Sequence, residues 1–293
     1  MWNVALEVWD MPDDSMVRHP CLLCNGTNAQ LYLSDPNGGQ LVRCLRDGFI
    51  FRDPQPSIEE QQRSFKSYVP NIRMFVTGRR PALAAYAHAI QEWKQAGTLV
   101  DVGCSVGTFF EFFPHNRWQR LGIDPSDFNA REAHRIHGVR TYCGTLRDAA
   151  LPHDSVDALT ILDTFPLIPD PRVELRESRR VLKIGGILSV EIEGWLYWTI
   201  CSRGPLCWLL NRSSVKLHPR QLYYFSYKNI VALLNSEGFR IVDRVLGPAS
   251  TGNSTLRSHV TRIHAKMSHV LYTASARHIS LAARELVIAE KTS

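Results

Sequence analysis

The chain has 293 residues, 44% of them hydrophobic, and a formal net charge of +6. This length suffices for one large domain with a small addition. The basic residues form no stripe interleaved with aromatics, which disfavours nucleic acid as a partner. Seven scattered cysteines favour a reducing compartment over a disulfide framework, no apolar run is long enough for a transmembrane segment, and the acidic start lacks the positive flank of a secretory signal. We therefore expect a cytoplasmic protein.

The first part of the chain contains a cysteine pattern that is typical of metal binding. Cys21 and Cys24 are followed about twenty residues later by Cys44, and this spacing resembles a zinc ribbon with two knuckles. Asp47 stands where such ribbons have their last cysteine, and His19 is a second candidate for the fourth ligand. The pattern predicts a structural zinc site made of Cys21, Cys24, Cys44 and Asp47. The alternative is a metal-free β-ribbon whose thiols act as small hydrophobic groups.

Two helices are predicted next. The sequence from Ser57 to Glu60 is a capping box that opens a helix, and Pro70 closes it. A second helix is expected from about Pro81 to Gln95, with Gly97 as its stop.

From there, strands and helices alternate, which predicts a parallel sheet covered on both faces. The fourth to sixth strands are apolar enough to be central. The seven predicted strands are Leu99 to Val102, Arg120 to Ile123, Arg140 to Cys143, Ala158 to Leu162, Ile187 to Ile192, Phe239 to Val245 and Glu285 to Glu290.

The first of these strands runs into a turn bracketed by Gly103 and Gly107, followed by a helix expected from about Thr108 to Phe113. Glycines allow the backbone to approach a ligand closely, and the start of a helix offers free N–H groups. A dinucleotide site requires a middle glycine, but Ser105 occupies that position, and Asp101 would repel a pyrophosphate.

The second strand ends in Asp124, where a carboxylate is suited to accept hydrogen bonds from both ribose hydroxyls. The two strands together therefore favour a cationic ligand that carries a ribose.

Three stretches carry a family resemblance: Leu99 to Gly107, Leu121 to Asp124, and Arg180 to Gly186. In order and spacing the set resembles the class I S-adenosylmethionine-dependent methyltransferases, of the type with an N-terminal cysteine-rich segment. The resemblance implies a doubly wound α/β fold with a seven-stranded, mostly parallel, Rossmann-like sheet after a small ribbon, the last strand being antiparallel. The domains expected are a ribbon over 1–55, a helical lead-in over 56–97 and a cofactor domain over 98–293 with a lid insert at 194–227.

The same resemblance implies S-adenosylmethionine as the cofactor. The methionine part would lie on the loop after the first strand, the ribose at the end of the second strand and the adenine after the third. The residues expected around this crevice are Asp101, Gly103, Cys104, Gly107, Asp124, Thr145, Leu146 and Leu162.

Methyl transfer needs a base only if the nucleophile starts protonated. Asp163 and His218 are the predicted catalytic residues, with Glu193 and Tyr223 as further candidates. Asp163 and Thr164 stand where the family often has Glu-His. Asp163 would accept from the methionine amine through its backbone, orient the substrate or act as the base. His218 lies three residues before Gln221, the position where the family commonly has its histidine.

The resemblance implies methyl transfer to a small-molecule acceptor such as a sugar, a lipid or a secondary metabolite, with O- or C-methylation left open. The alternatives are a non-catalytic module that binds a cofactor or a partner, and a nucleic-acid methyltransferase.

Overall fold

The computed structural model describes residues 16–34, 39–67, 72–194, 196–197, 221–247, 255–276 and 278–293. His218 and most of the predicted lid insert lie outside the described residues. Among the described helices, none combines the length and apolar composition that a membrane span requires.

The N-terminal part forms a small β-ribbon. Its strands are β1 (Met16–Val17), β2 (Ala29–Ser34), β3 (Gln40–Cys44), β4 (Ile50–Arg52) and β5 (Gln55–Pro56). β2, β3 and β4 pair antiparallel, and the outer edge of β4 pairs with Tyr223–Tyr224 from the far end of the chain. The ribbon sheet is therefore completed by a strand that lies inside the predicted cofactor domain.

Two helices lead into the main sheet, α1 (Ile58–Lys66) and α2 (Ile72–Trp93). The Ser57 half of the predicted capping box is confirmed, since the Ser57 hydroxyl accepts a hydrogen bond from the backbone N–H of Glu60. The Glu60 carboxylate pairs with Arg63. The predicted start of the second helix is wrong, because α2 begins nine residues before Pro81 and contains that proline. A proline is favoured at the first helical turn, but burial of Tyr86 and Ile90 further along α2 stabilises the helix despite the lost backbone hydrogen bond.

The main sheet has seven strands in the order β12, β13, β10, β9, β6, β7, β8. β13 runs antiparallel between β12 and β10, and β6 to β10 pair parallel, so the predicted fold class is confirmed. The seven strands are β6 (Gly97–Val102), β7 (Trp118–Asp124), β8 (Arg140–Cys143), β9 (Val156–Ile161), β10 (Leu182–Glu193), β12 (Phe239–Gly247) and β13 (Arg284–Lys291). The short strand β11 (Tyr223–Tyr224) belongs to the ribbon sheet.

One predicted strand position is wrong, because the sixth strand of the main sheet, β12, lies at the edge of the sheet. Its apolar side chains Val242 and Val245 pack against the hydrophobic cluster beneath α2, so the apolar composition reflects contact with a helix. The predicted helix after Gly107 is also shorter than expected, since Thr108–Phe112 is a 3-10 helix. Pro114 lies two residues beyond the end of this helix and cannot donate a backbone hydrogen bond to extend it.

Helices cover both faces of the sheet. They are α3 (Asp127–His137), α4 (Pro171–Val181), α5 (Tyr227–Ser236) and α6 (Thr255–Ala274), in addition to α2. On one face, α2 packs on Leu99, Ile187 and Leu286. On the other face, α4 and α5 share a core with the ribbon, where the rings of Phe49 and Phe225 are 5.2 Å apart.

Candidate functional site

The sheet reverses its direction of growth between β6 and β9, because the chain runs outward from β6 through β7 to β8 and then returns to β9 on the other side of β6. In open α/β sheets, ligands bind beyond the carboxyl ends of the strands at such a switch point. The loops that follow β6, β7 and β9 meet there, and they contain most of the predicted cofactor-binding residues.

The loop after β6 is fixed by close backbone contacts. The backbone N–H groups of Gly103 and Cys104 donate to the Ile123 carbonyl at 2.7 and 3.1 Å. Gly103 has a φ of +73°, and a Cβ there would lie 2.2 Å from Thr164 Oγ1. Only glycine fits this position, so the backbone at the base of the crevice has no side chain between it and the loop after β9.

Asp101 is the last acid of β6 and is almost fully buried. The Thr160 hydroxyl donates to its Oδ1 at 2.6 Å. Burial raises the pKa of Asp101 to about 7, and the hydrogen bond from Thr160 only partly opposes that effect. A cationic group placed beside Asp101 would favour its ionised form.

Asp124 ends β7 and organises the start of α3. Its Oδ1 accepts hydrogen bonds from the Ser126 N–H at 2.9 Å and from Asn129 Nδ2 at 3.0 Å, and its Oδ2 accepts from the Ser105 N–H at 2.9 Å. Burial raises its pKa. A carboxylate offers about four acceptor positions, so one position, on Oδ2, remains for a ribose hydroxyl. Ser126, whose hydroxyl accepts from the Asn129 N–H, is the N-cap of α3.

The other predicted cofactor residues differ in how they face the crevice. Gly107 adopts a left-handed conformation with φ of +79° at the start of the 3-10 helix. Cys104 is buried, and burial raises the pKa of its thiol, so it serves as a neutral spacer. Thr145 is exposed, and its hydroxyl bonds Asp148 within its own turn at 2.7 Å. Leu146 and Leu162 are buried in hydrophobic clusters, which leaves their backbone atoms for any contact with a ligand.

Asp163 follows β9 in a left-handed conformation with φ of +58°. Its Oδ2 lies 2.7 Å from Arg79 Nη1, and its Oδ1 pairs with Arg284 Nη1. Because two guanidiniums occupy its two side-chain oxygens, the arrangement favours an orienting role for the Asp163 side chain over the role of a base. Arg79 comes from α2 and Arg284 from β13.

Arg79 and Arg284 also pair with Glu191 of β10, which is 1% exposed at its side chain, and the hydroxyl of Tyr86 donates to Glu191 Oε1 at 3.2 Å. This ion-pair network was not predicted from the sequence. An acid such as Glu191 within an otherwise apolar strand was the available signal, since a buried charge requires a partner.

Glu193 lies two residues further along β10, at its carboxyl end. Gln221 Nε2 donates to its Oε2 at 3.2 Å, and burial raises its pKa. Tyr223 is a poorer candidate for proton transfer, because burial raises its pKa to about 12 and its hydroxyl donates to the Pro169 carbonyl at 2.8 Å.

The predicted metal ligands lie together in the ribbon. One ligand atom each from Cys21, Cys24, Cys44 and Asp47 lies within 4.8 Å of all the others. Cys21 Sγ is 3.2 Å from Asp47 Oδ2, and the Sγ atoms of Cys24 and Cys44 are 3.5 Å apart. The backbone N–H of Phe49 donates to Asp47 Oδ1 at 2.9 Å, which orients the carboxylate. Three sulfurs and one carboxylate oxygen converging in this way fit a tetrahedral zinc ion.

Comparison with known proteins adds a family match at this site. Residues 100–190 match the model of a family described as a methyltransferase domain. The match spans β6 to β10 and includes the loops at the switch point, so this part of the chain carries the pattern of a methyltransferase domain. No curated protein sequence matches the chain.

Solved structures share the fold over most of the chain. A SAM-dependent methyltransferase from Thermotoga maritima has a TM-score of 0.54 and 19% identity, covering 79% of this chain and 100% of that chain. Geranyl diphosphate C-methyltransferase from Streptomyces coelicolor A3(2), solved with Mg²⁺, geranyl-S-thiolodiphosphate and S-adenosyl-L-homocysteine, has a TM-score of 0.52 and 17% identity, covering 80% and 97%. At these identities the likeness concerns the fold alone.

Proposed function

We propose that the protein transfers a methyl group from S-adenosylmethionine to a small-molecule acceptor. The observation that carries the proposal is the switch-point crevice, where a turn that begins at Gly103, a position with no room for a Cβ, lies between two buried carboxylates, Asp101 and Asp124. The match of residues 100–190 to a methyltransferase domain supports the same assignment.

The chemistry of the ligand fits these groups. Asp101 would accept the ammonium of the methionine part, and the free position on Asp124 Oδ2 would accept a ribose hydroxyl. S-adenosylmethionine would supply an electrophilic methyl group on its sulfonium. The protein aligns acceptor and methyl group and excludes water.

On the acceptor side, Glu193 is better suited than Asp163 to accept a proton. Its raised pKa brings it closer to neutral pH, where a general base works best, and Gln221 orients it. Asp163 and the guanidiniums of Arg79 and Arg284 would form the fixed wall beside it.

The test is calorimetric titration of the full chain with S-adenosylhomocysteine. We expect one saturable site, and at least about tenfold weaker binding in Asp124→Asn, or about 1.4 kcal/mol. Asp127→Asn is the matched control, because Asp127 is an exposed acid three residues away that pairs with Arg131.

Absence of binding at about millimolar ligand, or equal weakening in both variants, would contradict the proposed cofactor site. Transfer of a labelled methyl group to a panel of small alcohols, phenols and carbanion-forming acceptors then separates an enzyme from a module that binds the cofactor without turnover. Methylation of RNA or DNA, with no product in the panel, would contradict the small-molecule assignment.

The proposal includes a structural zinc ion held by Cys21, Cys24, Cys44 and Asp47. The convergence of the four ligand atoms and the N–H donated to Asp47 support it. Zinc would link the two knuckles of a ribbon that is too small to form a core of its own.

Elemental analysis of the purified full chain tests the zinc site. We expect about one zinc per chain, a clear loss in Cys44→Ser, and no loss in Cys143→Ser, since Cys143 is an exposed free cysteine on β8. A wild-type protein that contains almost no zinc after growth with added zinc would contradict this part of the proposal.

A further inference from the structure

A second cavity lies away from the switch-point crevice, between the ribbon and the first two turns of α5. Its volume is about 670 Å³, which is within the range of sites for small molecules. The ribbon contributes its second knuckle to one wall, and α5 contributes Lys228, Asn229 and Ala232 to the other. The predicted methyl-transfer chemistry makes no use of this cavity.

The lining has more positive than negative groups. Arg43, Arg46 and Lys228 are exposed and line the cavity, and none of them forms an ion pair within the part of the chain that the structure describes. The acid in the lining is Asp47, which is directed at Cys21 and the Phe49 N–H. The cavity thus has an excess of two positive charges when the thiols are protonated. It stays positive with zinc bound, because three thiolates and a carboxylate around Zn²⁺ leave two negative charges against three cations.

Local geometry holds one of the guanidiniums at the cavity. Gly48 has a φ of +73°, and a Cβ there would lie 3.3 Å from Arg43 Nη2. The missing side chain at Gly48 therefore leaves room for the Arg43 guanidinium beside the knuckle. Guanidiniums bind phosphate through two parallel hydrogen bonds, which an ammonium cannot do.

The same cavity has an apolar part. Leu23 and Ala232 line it, and so does Leu45, which is 62% exposed although it is a large apolar residue. An exposed leucine beside three cations fits a ligand that has both an anionic group and a hydrocarbon body.

We propose that this cavity binds a small molecule that carries a phosphate monoester. Two guanidiniums and an ammonium in the lining can donate to the several oxygens of a phosphate dianion, more than a monocarboxylate offers, and the concave shape with an apolar wall suits a small molecule better than a polymer backbone. This proposal is independent of methyl transfer, since none of its residues lies at the switch point.

Phenyl phosphate is the probe, because it combines a dianion with an apolar ring. Titration of the full chain, followed by NMR or calorimetry, should give one saturable site at pH 7.5, and binding should weaken at pH 5 because the second phosphate pKa is about 6. The double variant Arg43→Gln, Arg46→Gln should lose at least about tenfold in affinity. Arg117→Gln is the matched control. Arg117 is an exposed arginine just before β7, at the amino ends of the parallel strands and opposite the switch point.

Binding of S-adenosylhomocysteine should be unchanged in the double variant, which shows that it is folded and separates this proposal from the cofactor site. No saturation by about 10 mM phenyl phosphate, or an equal loss in Arg117→Gln, would overturn the proposal. Tighter binding of a single-stranded RNA oligonucleotide, with a salt slope of several displaced ions, would also overturn it and assign the surface to nucleic acid.

Discussion

Asp101→Asn is the substitution that most directly tests the proposed electrostatics of the crevice. The pKa of Asp101 is raised from 3.8 to about 7 by burial. Below pH 7 the carboxyl is protonated in the unliganded protein, whereas the ammonium of S-adenosylmethionine favours the carboxylate. Binding must then release a proton, so the affinity should rise with pH through about 7.

The magnitude follows from that pKa. If the carboxyl is ionised in the complex, the affinity of the wild-type protein should increase about tenfold between about pH 6 and pH 8, which is about 1.4 kcal/mol. Asparagine keeps the shape and can still accept from Thr160, but it does not ionise. The increase should therefore be missing in Asp101→Asn, and the variant should bind more weakly than wild type at pH 8.

The unliganded fold should respond in the opposite direction. Between about pH 4 and pH 7, the unfolded carboxyl is ionised while the folded one is protonated, so folding takes up a proton and stability falls as pH rises. The shift of about three pKa units sets an upper limit of about 4 kcal/mol for this loss. Asp101→Asn should therefore unfold at a higher urea concentration than wild type at pH 8.

Calorimetric titration across this pH range, together with urea unfolding, checks both expectations. The ligand's own α-amino group titrates near pH 8, so the measured quantity is the difference between wild type and Asp101→Asn. Identical pH dependence in the two proteins, or lower stability of the variant at pH 8, would refute the reasoning.

Two further substitutions test the packing around the crevice. Gly103→Ala should lower the free energy of unfolding by several kcal/mol, of which about 1 kcal/mol is backbone strain. Gly185→Ala is the control, because Gly185 also has a positive φ of +74° but an added Cβ there would have its nearest atom 3.7 Å away, so this variant should show the strain alone. Equal midpoints of the two variants in urea unfolding would contradict the close contact at Gly103. Arg79→Met should lower the free energy of unfolding by about 3 to 5 kcal/mol, because it leaves Glu191 buried without its main partner. Adding Glu191→Met should restore much of this loss. A double variant as unstable as Arg79→Met alone would contradict the ion-pair assignment.

Local signals explain why much of the fold was predictable. The Ser57 cap, the glycine turn after β6 and the alternation of strands and helices each depend on residues that are near in sequence. The alternation predicted a parallel sheet, the cysteine spacing predicted the convergence of the cluster with Asp47, and the family resemblance implied seven strands with an antiparallel last strand. The fold brings the loops with most of the predicted cofactor residues to one edge, because strand ends in a parallel sheet meet there, and their role in binding stays a prediction.

Contacts between distant residues were not predictable in the same way. Arg79 and Glu191 are 112 positions apart, and no periodicity links an arginine on a helix to an acid on a strand. Pro81 misled the helix boundary because tertiary packing outweighed a local rule. The edge position of β12 was missed because apolar composition does not distinguish a neighbouring strand from a covering helix.

The pairing of β4 with Tyr223–Tyr224 makes the N-terminal ribbon an integral part of the tertiary structure rather than an appended module. A fragment starting at residue 56 would leave the backbone of that two-residue strand without its hydrogen-bonding neighbour and would uncover the rings of Tyr223 and Phe225, which stack beside Phe49. Grafting the ribbon onto another scaffold, or deleting it to obtain a minimal enzyme, would therefore expose aromatic surface on both pieces and favour their aggregation.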